Sequence, residues 1–364
     1  MPTNRPHTPL EWAEAACNTM MAKFQAEDLP PVGRFHYHQG VFLLGMQRCW
    51  KQDGNQRYFD YIKRWVDSLI RPDGTIVQYD PGQLDDIQPG ILLYELYDQT
   101  GDERYKKALD TLTANISDFK RNSEGGLWHK FNLPNQMWLD GLFMGGPIAV
   151  EYAAKFGHPE FFDSVALQAK LMAQHNRDPK TGLLLHGWDQ SRKAAWADPE
   201  TGRAPEIWGR ALGWYVTALM DILDFLPQSH PDRPTLLHIL EDMLSRIVRY
   251  ADKTDGRWYQ VIDKGDRPDN WPENSCSCLF VYAIAKAVRR GFIDQKYMEY
   301  ARKGYEGVTR SVTVDDTGHV GIGNVCIGTG IGNYAFYVAR PTSVNDLHGV
   351  GAFLIMCDEM NLAR

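Results

Sequence analysis

Apolar residues recur at helical spacing along most of the chain, and the helices that they predict come in pairs. Over Tyr61–Ile70 and Tyr105–Phe119, apolar side chains repeat every three or four positions and charged side chains take the opposite face. Val150–Met172 shows two such stretches on either side of a short turn. This pattern predicts a succession of helical hairpins.

Two turn motifs alternate along these hairpins. The first is a Gly or acidic turn followed by an aromatic residue, with copies at Gly54–Tyr58, Gly101–Tyr105, Gly157–Phe161, His230–Asp232 and Gly291–Tyr297. The second is a Gly-centred turn with β-like neighbours, with copies at Asp73–Ile76, Gly125–Trp128, Thr181–Leu184, Asp255–Trp258 and Thr317–Val320. Because the motifs alternate, they mark opposite ends of the same hairpins.

The repeat is compatible with an open solenoid or with a closed ring. A solenoid needs polar caps at both ends, whereas a ring has no ends. A C-terminal helix over Leu347–Met360 can pair with an N-terminal helix over Pro9–Gln25, which adds a sixth pair to the five central ones. We therefore predict an all-α fold, a single (α/α)6-barrel domain over residues 1–364, with short β-like turns at the active-site end.

Composition and charge narrow the functional classes. Hydrophobic residues make up 43% and charged residues 23% of the 364 positions, which is ordinary for a globular protein. The net charge of −7 disfavours nucleic acid as a partner. No stretch approaches the ~20 apolar residues of a membrane span, and Met1–Pro9 lacks the apolar core of a signal peptide. We expect a cytoplasmic protein with no membrane partner, as a monomer or weak homo-oligomer.

The six cysteines are expected to be reduced and structural, because no CxxC pair occurs. The aromatic content is high, with 11 Trp, 17 Tyr and 15 Phe. Trp and Tyr combine an apolar ring with a polar group, which suits stacking against sugar rings. Most polar candidates fall near the Gly-centred turns, so we expect a carbohydrate site at that end of the barrel.

Two carboxylates stand out among the candidates. Asp140 opens an apolar helix, where it could be a helix cap or a poorly solvated acid whose raised pKa suits proton donation. Asp85 and Asp86 also precede a helix, and one of them could face the site while the other caps. Asp85 and Asp140 then form the carboxylate pair expected for acid and base catalysis.

Basic and aromatic residues complete the candidate set. Arg210 and Trp214 share a helix face, so the guanidinium could pair with a carboxylate while the ring stacks on a sugar. Alternatively, Arg210 could simply pack against Trp208 and Trp214. No local ligand motif connects His36, His38, His129 and His186, so we expect hydrogen-bonding histidines and no metal. Gly321–Gly332 is interpreted as a mobile rim loop.

The strings MWLDGLFMGG, LHGWD and IWGRALGWYVTAL, with the tail RPTSVND and GVGA, resemble the unsaturated rhamnogalacturonyl hydrolases of glycoside hydrolase family 105. The resemblance spans essentially the whole chain and implies an (α/α)6 barrel. It implies that Asp140 is the catalytic acid and Asp85 the second site aspartate. The positions that it assigns to the substrate pocket are Tyr37, His38, His129, Met137, His186, Trp208, Arg210 and Trp214.

The same resemblance implies a substrate and a reaction. The substrate is a pectin-derived rhamnogalacturonan oligosaccharide with an unsaturated galacturonyl residue at its non-reducing end. The acid protonates C4 of the C4=C5 vinyl ether, water adds at C5, and the hemiketal opens and releases the aglycone. No metal or organic cofactor is implied.

Three other functions remain open at this point. The first is the sister group of unsaturated glucuronyl hydrolases, which act on glycosaminoglycan fragments. The second is a sugar 2-epimerase on the same barrel, with His129 and His186 as the acid–base pair. The third is a helical scaffold without catalysis, in which Asp140 only caps its helix.

Overall fold

The computed structural model describes residues 6–363, so residues 1–5 and 364, including most of the Met1–Pro9 segment and both ends of the domain predicted over 1–364, lie outside it. The helices of the described part, numbered in chain order, are α1 Pro9–Lys23, α2 Tyr37–Asp53, α3 Gln56–Leu69, α4 Ile91–Thr100, α5 Glu103–Asp118, α6 Asp140–Phe156, α7 Glu160–His175, α8 Gly209–Phe225, α9 Arg233–Ile247, α10 Asn274–Arg289, α11 Met298–Ser311, α12 Tyr334–Val338 and α13 Leu347–Leu362. The strands are β1 Gln136–Trp138, β2 Gly187–Asp189, β3 Thr313–Val314, β4 Val320–Gly321, β5 Val325–Cys326 and β6 Thr342–Ser343. They pair antiparallel as β1–β2, β3–β4 and β5–β6.

Six helices form a closed inner ring. Helix α2 packs on α4 and α13, α8 packs on α6 and α10, and α10 packs on α13. The ring is completed between α4 and α6 by the 3-10 turn Gln88–Gly90, which contacts both helices. Each inner helix also packs against an outer one, in the pairs α2–α3, α4–α5, α6–α7, α8–α9, α10–α11 and α13–α1. The predicted (α/α)6 barrel, with its sixth pair made from the two ends of the chain, is confirmed.

The inner and outer helices differ in sequence because they differ in burial. In the inner helix α10, every residue from 274 to 288 is buried. The outer helix α3 buries one face, with Tyr58, Tyr61, Ile62, Trp65 and Leu69 at the spacing of an amphipathic helix. The helices predicted from Tyr61 and Tyr105 begin earlier, since Asn55 and Asp102 cap them by accepting the N–H groups of Arg57 and Arg104.

The two turn motifs lie at opposite ends of the barrel. Inner helices α2, α4 and α6 end at Gly54, Gly101 and Gly157, whose positive φ angles of 69°, 67° and 79° favour glycine. Antiparallel bridges close the other turns, such as Ile70 with Ile76 and Arg177 with Leu184. These β-like turns form the end that carries the candidate chemistry.

The state of the cysteines and the character of the helices can be compared with what the composition predicts. All six cysteines are buried and none forms a disulfide. Among residues 6–363, no helix has the length and apolar character needed to span a membrane.

We predict that Gly351→Ala destabilises the barrel. A β-carbon on Gly351 would lie 2.5 Å from the carbonyl carbon and oxygen of Val41 on α2, and backbone at the ring closure cannot easily move away. Such overpacking costs about 1–3 kcal/mol or more, and the helix propensity of Ala offsets only ~1 kcal/mol. The thermal and urea unfolding midpoints should both fall.

The matched control is Gly145→Ala in α6. A β-carbon on Gly145 would meet only Leu84 Cδ2, at the ordinary contact distance of 3.8 Å. This variant should unfold at or above the midpoint of the unmodified protein. Equal midpoints for Gly351→Ala and Gly145→Ala would show that the packing of α13 on α2 is not tight at this point.

Candidate active site

A pocket of about 360 Å³ lies at the end of the barrel that carries the Gly-centred turns, as predicted. Its lining comes from the start of α2, the 3-10 turn Leu84–Asp86, the loop before β1, the start of α6 and the Gly-rich loop after β5. The lining residues are His36, Tyr37, His38, Asp85, His129, Lys130, Trp138, Asp140, Met144, Gly328, Thr329 and Gly330. Five of the ten predicted site residues therefore line one pocket.

Asp140 is the first residue of α6 and is held by an imidazole. Leu139 precedes the helix and makes no side-chain cap. The Oδ2 atom of Asp140 lies 3.0 Å from Nε2 of His186, and Nδ1 of His186 lies 2.7 Å from the Tyr337 hydroxyl. The main contact of Asp140 is thus this buried hydrogen-bonded series, in place of the side-chain cap considered from the sequence.

The pairing of β1 with β2 brings Asp140 and His186 together. Trp138 lies opposite Gly187 in the ladder, and the Leu139 N–H donates to the carbonyl of His186 at 3.0 Å. The Gly332 N–H donates to the Tyr337 hydroxyl at 3.3 Å. That hydroxyl can then donate to Nδ1 of His186, which leaves an Nε2–H to donate to Asp140.

The expectation that Asp140 has a raised pKa is wrong. Burial does push the pKa upward, but the electrostatic attraction and hydrogen bond of His186, with a further contribution from His129, outweigh burial and hold the pKa below its ordinary value. Asp140 is 9% exposed, so it still reaches the pocket. In the free protein at neutral pH, this carboxyl group is therefore ionised.

Asp85 and Asp86 take different roles, and neither caps α4, which starts at Ile91 after the two 3-10 turns. Asp86 points away from the pocket, where it pairs with Arg34 at 3.2 Å and accepts the Asp80 N–H at 3.0 Å. Burial raises the pKa of Asp86 to about 6. Asp85 is the member of the pair that faces the pocket.

Asp85 is held by two basic residues. Nζ of Lys130 lies 2.7 Å and Nε2 of His129 lies 3.7 Å from its carboxylate oxygens. Burial acts to raise the pKa of Asp85, but the charges of His129 and Lys130 lower it to about 2. The pocket therefore holds two buried carboxylates, each kept ionised by a different set of partners.

Aromatic side chains surround the two carboxylates. The rings of His129 and Trp138 stack at a centroid distance of 4.6 Å, and the ring of His186 meets Trp138 edge-on at 5.3 Å. Trp208 lies behind His186, with centroids 4.7 Å apart. Burial lowers the pKa of His129, against the attraction of Asp85 and Asp140.

Five residues of the predicted set do not line the pocket, namely Met137, His186, Trp208, Arg210 and Trp214. Side chains alternate along a strand, so Trp138 faces the pocket while Met137 is fully buried on the other side of β1. Trp214 lies one turn deeper along α8, where its ring stacks on Phe143 at 4.5 Å and is 1% exposed. Met137 and Trp214 therefore pack inside the protein and do not line this pocket.

Arg210 makes its hydrogen bonds to backbone carbonyls and does not line the pocket. Its Nη1 donates to the carbonyl of Cys326 at 2.6 Å and its Nη2 to that of Ile327 at 2.8 Å. Glu273 lies 3.7 Å away, and the guanidinium stacks 4.4 Å from the Trp208 ring. Arg210 thus anchors the base of the Gly-rich loop, and its aromatic partner is Trp208 instead of Trp214. That loop forms the rim, as expected, while its mobility stays a prediction.

Three residues at the site were not singled out from the sequence. Lys130 directly follows His129, and a basic residue beside a candidate histidine is a signal that could have identified it. Trp138 lies within the quoted MWLDGLFMGG string. Tyr337 gives no local signal, since its role depends on folding a distant segment against His186.

A helical toroid whose pocket holds two carboxylates among aromatic rings is typical of enzymes that act on carbohydrates. The chain belongs to glycosyl hydrolase family 88, whose model matches residues 12–363. It is thus a glycoside hydrolase of the group that includes the unsaturated-uronate hydrolases, and the resemblance drawn from its sequence motifs is confirmed.

Individual relatives agree with this family. The chain is 26% identical over 282 residues to the unsaturated rhamnogalacturonyl hydrolase YesR of Bacillus subtilis, covering 76% of each chain. It superimposes on a family 105 glycoside hydrolase of Clostridium acetobutylicum with a TM-score of 0.92 and 33% identity, over 96% of this chain and 99% of that one. The unsaturated glucuronyl hydrolase of Bacillus sp. GL1 shares the fold, with a TM-score of 0.71 and 16% identity over 96% and 95% of the chains.

We predict that Arg210→Lys loosens the rim loop. An ammonium group keeps the charge but cannot present the planar fork that reaches the carbonyls of Cys326 and Ile327 together. Hydrogen–deuterium exchange measured by mass spectrometry should become faster in the peptide that covers residues 326–332.

The control is Arg177→Lys. Arg177 also donates to a loop carbonyl, that of Gly182 at 2.9 Å, and it pairs with Asp242 at 2.7 Å, away from the pocket. This variant should leave exchange in residues 326–332 unchanged. Unaltered exchange in Arg210→Lys as well would mean that other contacts alone hold the loop.

Proposed function

We propose that the protein removes the unsaturated galacturonyl residue from the non-reducing end of rhamnogalacturonan oligosaccharides. Family membership supports an unsaturated-sugar hydrolase, and the named activity of YesR supports rhamnogalacturonan as the source of the substrate. The observation that carries the proposal is the pair of buried, differently held carboxylates in one pocket, Asp140 on His186 and Asp85 on Lys130.

The proposed reaction is hydration of the C4=C5 vinyl ether. Asp140 donates a proton to C4, and the positive charge that develops at C5 is stabilised by the ring oxygen. Water adds at C5 while Asp85 accepts its proton, and the resulting hemiketal opens to a ketone. The hemiacetal left at C1 then releases the aglycone alcohol, so the sum is addition of one water and no direct attack occurs at C1.

The substrate itself supplies a reason for Asp140 to carry a proton. Its carboxyl group is ionised in the free protein because its pKa is lowered. A bound uronate adds another negative charge to a pocket that already holds Asp85, and like charges raise the pKa of a neighbouring carboxyl group. Asp85, paired with Lys130, stays ionised and remains available as the base.

The geometry disfavours the epimerase alternative. Such an enzyme needs two histidines that both reach the sugar, but His186 is fully buried behind Asp140 and already bonded on both ring nitrogens. His129 is only 3% exposed and lies against Asp85. The two histidines are better suited to orienting the carboxylates.

The substrate test uses the ultraviolet absorbance of the conjugated enol ether. The absorbance of unsaturated galacturonyl-rhamnose should decay on addition of the protein, and saturated galacturonyl-rhamnose should release no rhamnose. Activity on both compounds would exclude the vinyl-ether mechanism. Activity on an unsaturated chondroitin disaccharide but not on the rhamnoside would instead place the protein with the glucuronyl hydrolases in function.

We predict that Asp140→Asn abolishes most activity without unfolding the protein. A positioned general acid contributes about 10²–10⁴-fold, whereas the Asn amide oxygen can still accept the hydrogen bond of His186. The ratio kcat/KM should therefore fall by roughly 10²-fold or more, with an unchanged thermal midpoint. In D2O, the product made by the unmodified protein should carry deuterium at C4.

Asp163→Asn is the matched control. Asp163 also forms an aspartate–histidine pair, with His230 at 3.2 Å, but on the exposed surface of α7. This variant should keep full activity. Near-normal turnover of Asp140→Asn would show that the acid is another residue, with Asp85 as the next candidate, and a product without the C4 label would exclude protonation at C4.

A further inference from the structure

Three potential ligand groups converge at the seam between the first and last helices of the inner ring. His38 lies in the first turn of α2, Asp346 immediately precedes α13, and His348 lies in its first turn. One nitrogen of each histidine and one carboxylate oxygen of Asp346 all lie within 4.8 Å of one another. His348 is fully buried, and His38 lines the wall of the pocket.

The hydrogen bonds of His348 indicate which of its two ring nitrogens carries a lone pair. Nε2 lies 3.1 Å from the carbonyl oxygen of Cys326, which can only accept, so Nε2 carries a hydrogen. In the neutral ring, Nδ1 then holds a lone pair. This Nδ1 lies 2.7 Å from Oδ1 of Asp346, yet it has no hydrogen-bond partner among the described residues. With a neutral His348, two acceptors would face each other at short distance, so either a proton or a metal ion must lie between or beside them.

The hydrogen bonds of His36 assign the free nitrogen of His38. Nδ1 of His36 caps α2 by accepting the His38 backbone N–H, and it also lies 3.0 Å from Nδ1 of His38. Because the His36 nitrogen accepts, Nδ1 of His38 must carry the hydrogen of that contact. The lone pair of neutral His38 is therefore on Nε2. Both histidines thus have one nitrogen fixed as a donor by a neighbour and the other left as a lone pair.

We propose that His38, His348 and Asp346 form a binding site for one divalent transition-metal ion of the Zn2+ or Co2+ type. Two imidazole nitrogens and one carboxylate oxygen suit these ions better than Mg2+ or Ca2+, which prefer oxygen ligands. The Cys326 carbonyl and His36 orient the two rings, as outer hydrogen-bond partners commonly do for metal-binding histidines.

The surrounding charge is compatible with a cation. Asp346 brings a carboxylate to the site, and its Oδ1 lies 2.7 Å from Nδ1 of His348. Arg210 is the nearby positive side chain that also acts on Asp346, but its own charge is met by Glu273 at 3.7 Å. The ion would join α2 to α13 and so strengthen the closure of the ring.

This site does not rest on the proposed function, because the reaction above uses Asp140 and Asp85 and no metal. It does revise the expectation from the sequence that the histidines bind no metal. That expectation relied on motifs with ligands close together in the chain, whereas these ligands come from its two ends. Only ring closure brings them within reach of one another.

The test begins with full-length protein treated with a chelator and then freed of it. Titration with Co2+ should produce a visible d–d absorption band that saturates at one equivalent, and Zn2+ should abolish the band by displacement. Zn2+ should also raise the thermal midpoint, since a ligand that binds only the folded state stabilises it. His38→Gln and Asp346→Asn should each weaken binding by about tenfold or more.

His158→Gln is the control, because His158 pairs with Glu160 at 3.1 Å with the same two-residue spacing but lies at a turn outside the pocket. It should bind Co2+ as the unmodified protein does, and circular dichroism should show that all three variants are folded. Absence of a saturable cobalt band would overturn the proposal and leave a protonated His348 paired with Asp346. Unchanged affinity in both His38→Gln and Asp346→Asn would overturn it too, by placing the ion on other histidines.

Discussion

Closure of the inner ring is the constraint on which the rest of this structure depends. Helix α13 packs against α2 and α1, so the last helix of the chain completes a ring that begins near its first residues. Gly351 makes the close approach possible, because a side chain there would overlap the backbone of α2. The closure also builds one wall of the pocket from distant segments, with His38 from α2 beside Gly328 and Thr329 from the loop that precedes α13.

The pKa values of the carboxyl groups at the pocket depend on the side chains that contact them more than on burial. Asp85, Asp86 and Asp140 are all buried, yet only Asp86 has a raised pKa. Burial acts on all three in the same direction, and the difference comes from Lys130 with His129 for Asp85 and from His186 for Asp140. Two ionised carboxylates in one enclosed site store electrostatic repulsion, which an incoming anion would increase and a proton would relieve. This balance links substrate binding to the protonation that the proposed reaction needs.

The Gly-rich loop connects the pocket to the interior of the barrel. Arg210 holds the loop through the carbonyls of Cys326 and Ile327, and the Cys326 carbonyl also accepts from His348. Further along the same segment, Tyr337 reaches His186 and thereby Asp140. A single segment from β5 to α12 therefore contacts both the histidine that holds the candidate acid and a histidine of the proposed metal site, although it belongs to neither helix ring.

The sequence by itself determined the architecture, because helical periodicity and two alternating turn motifs are local patterns. They can be recognised without knowing which segments pack together. It also selected Asp140 and Asp85, which both line the pocket, and the end of the barrel at which that pocket lies. Tertiary structure alone decided that Met137 faces the core while Trp138 faces the pocket, since strand register is set by the β1–β2 pairing. It likewise decided that Arg210 binds the rim loop and that Asp140 is ionised, because a pKa and a hydrogen-bond partner depend on groups that only folding brings together.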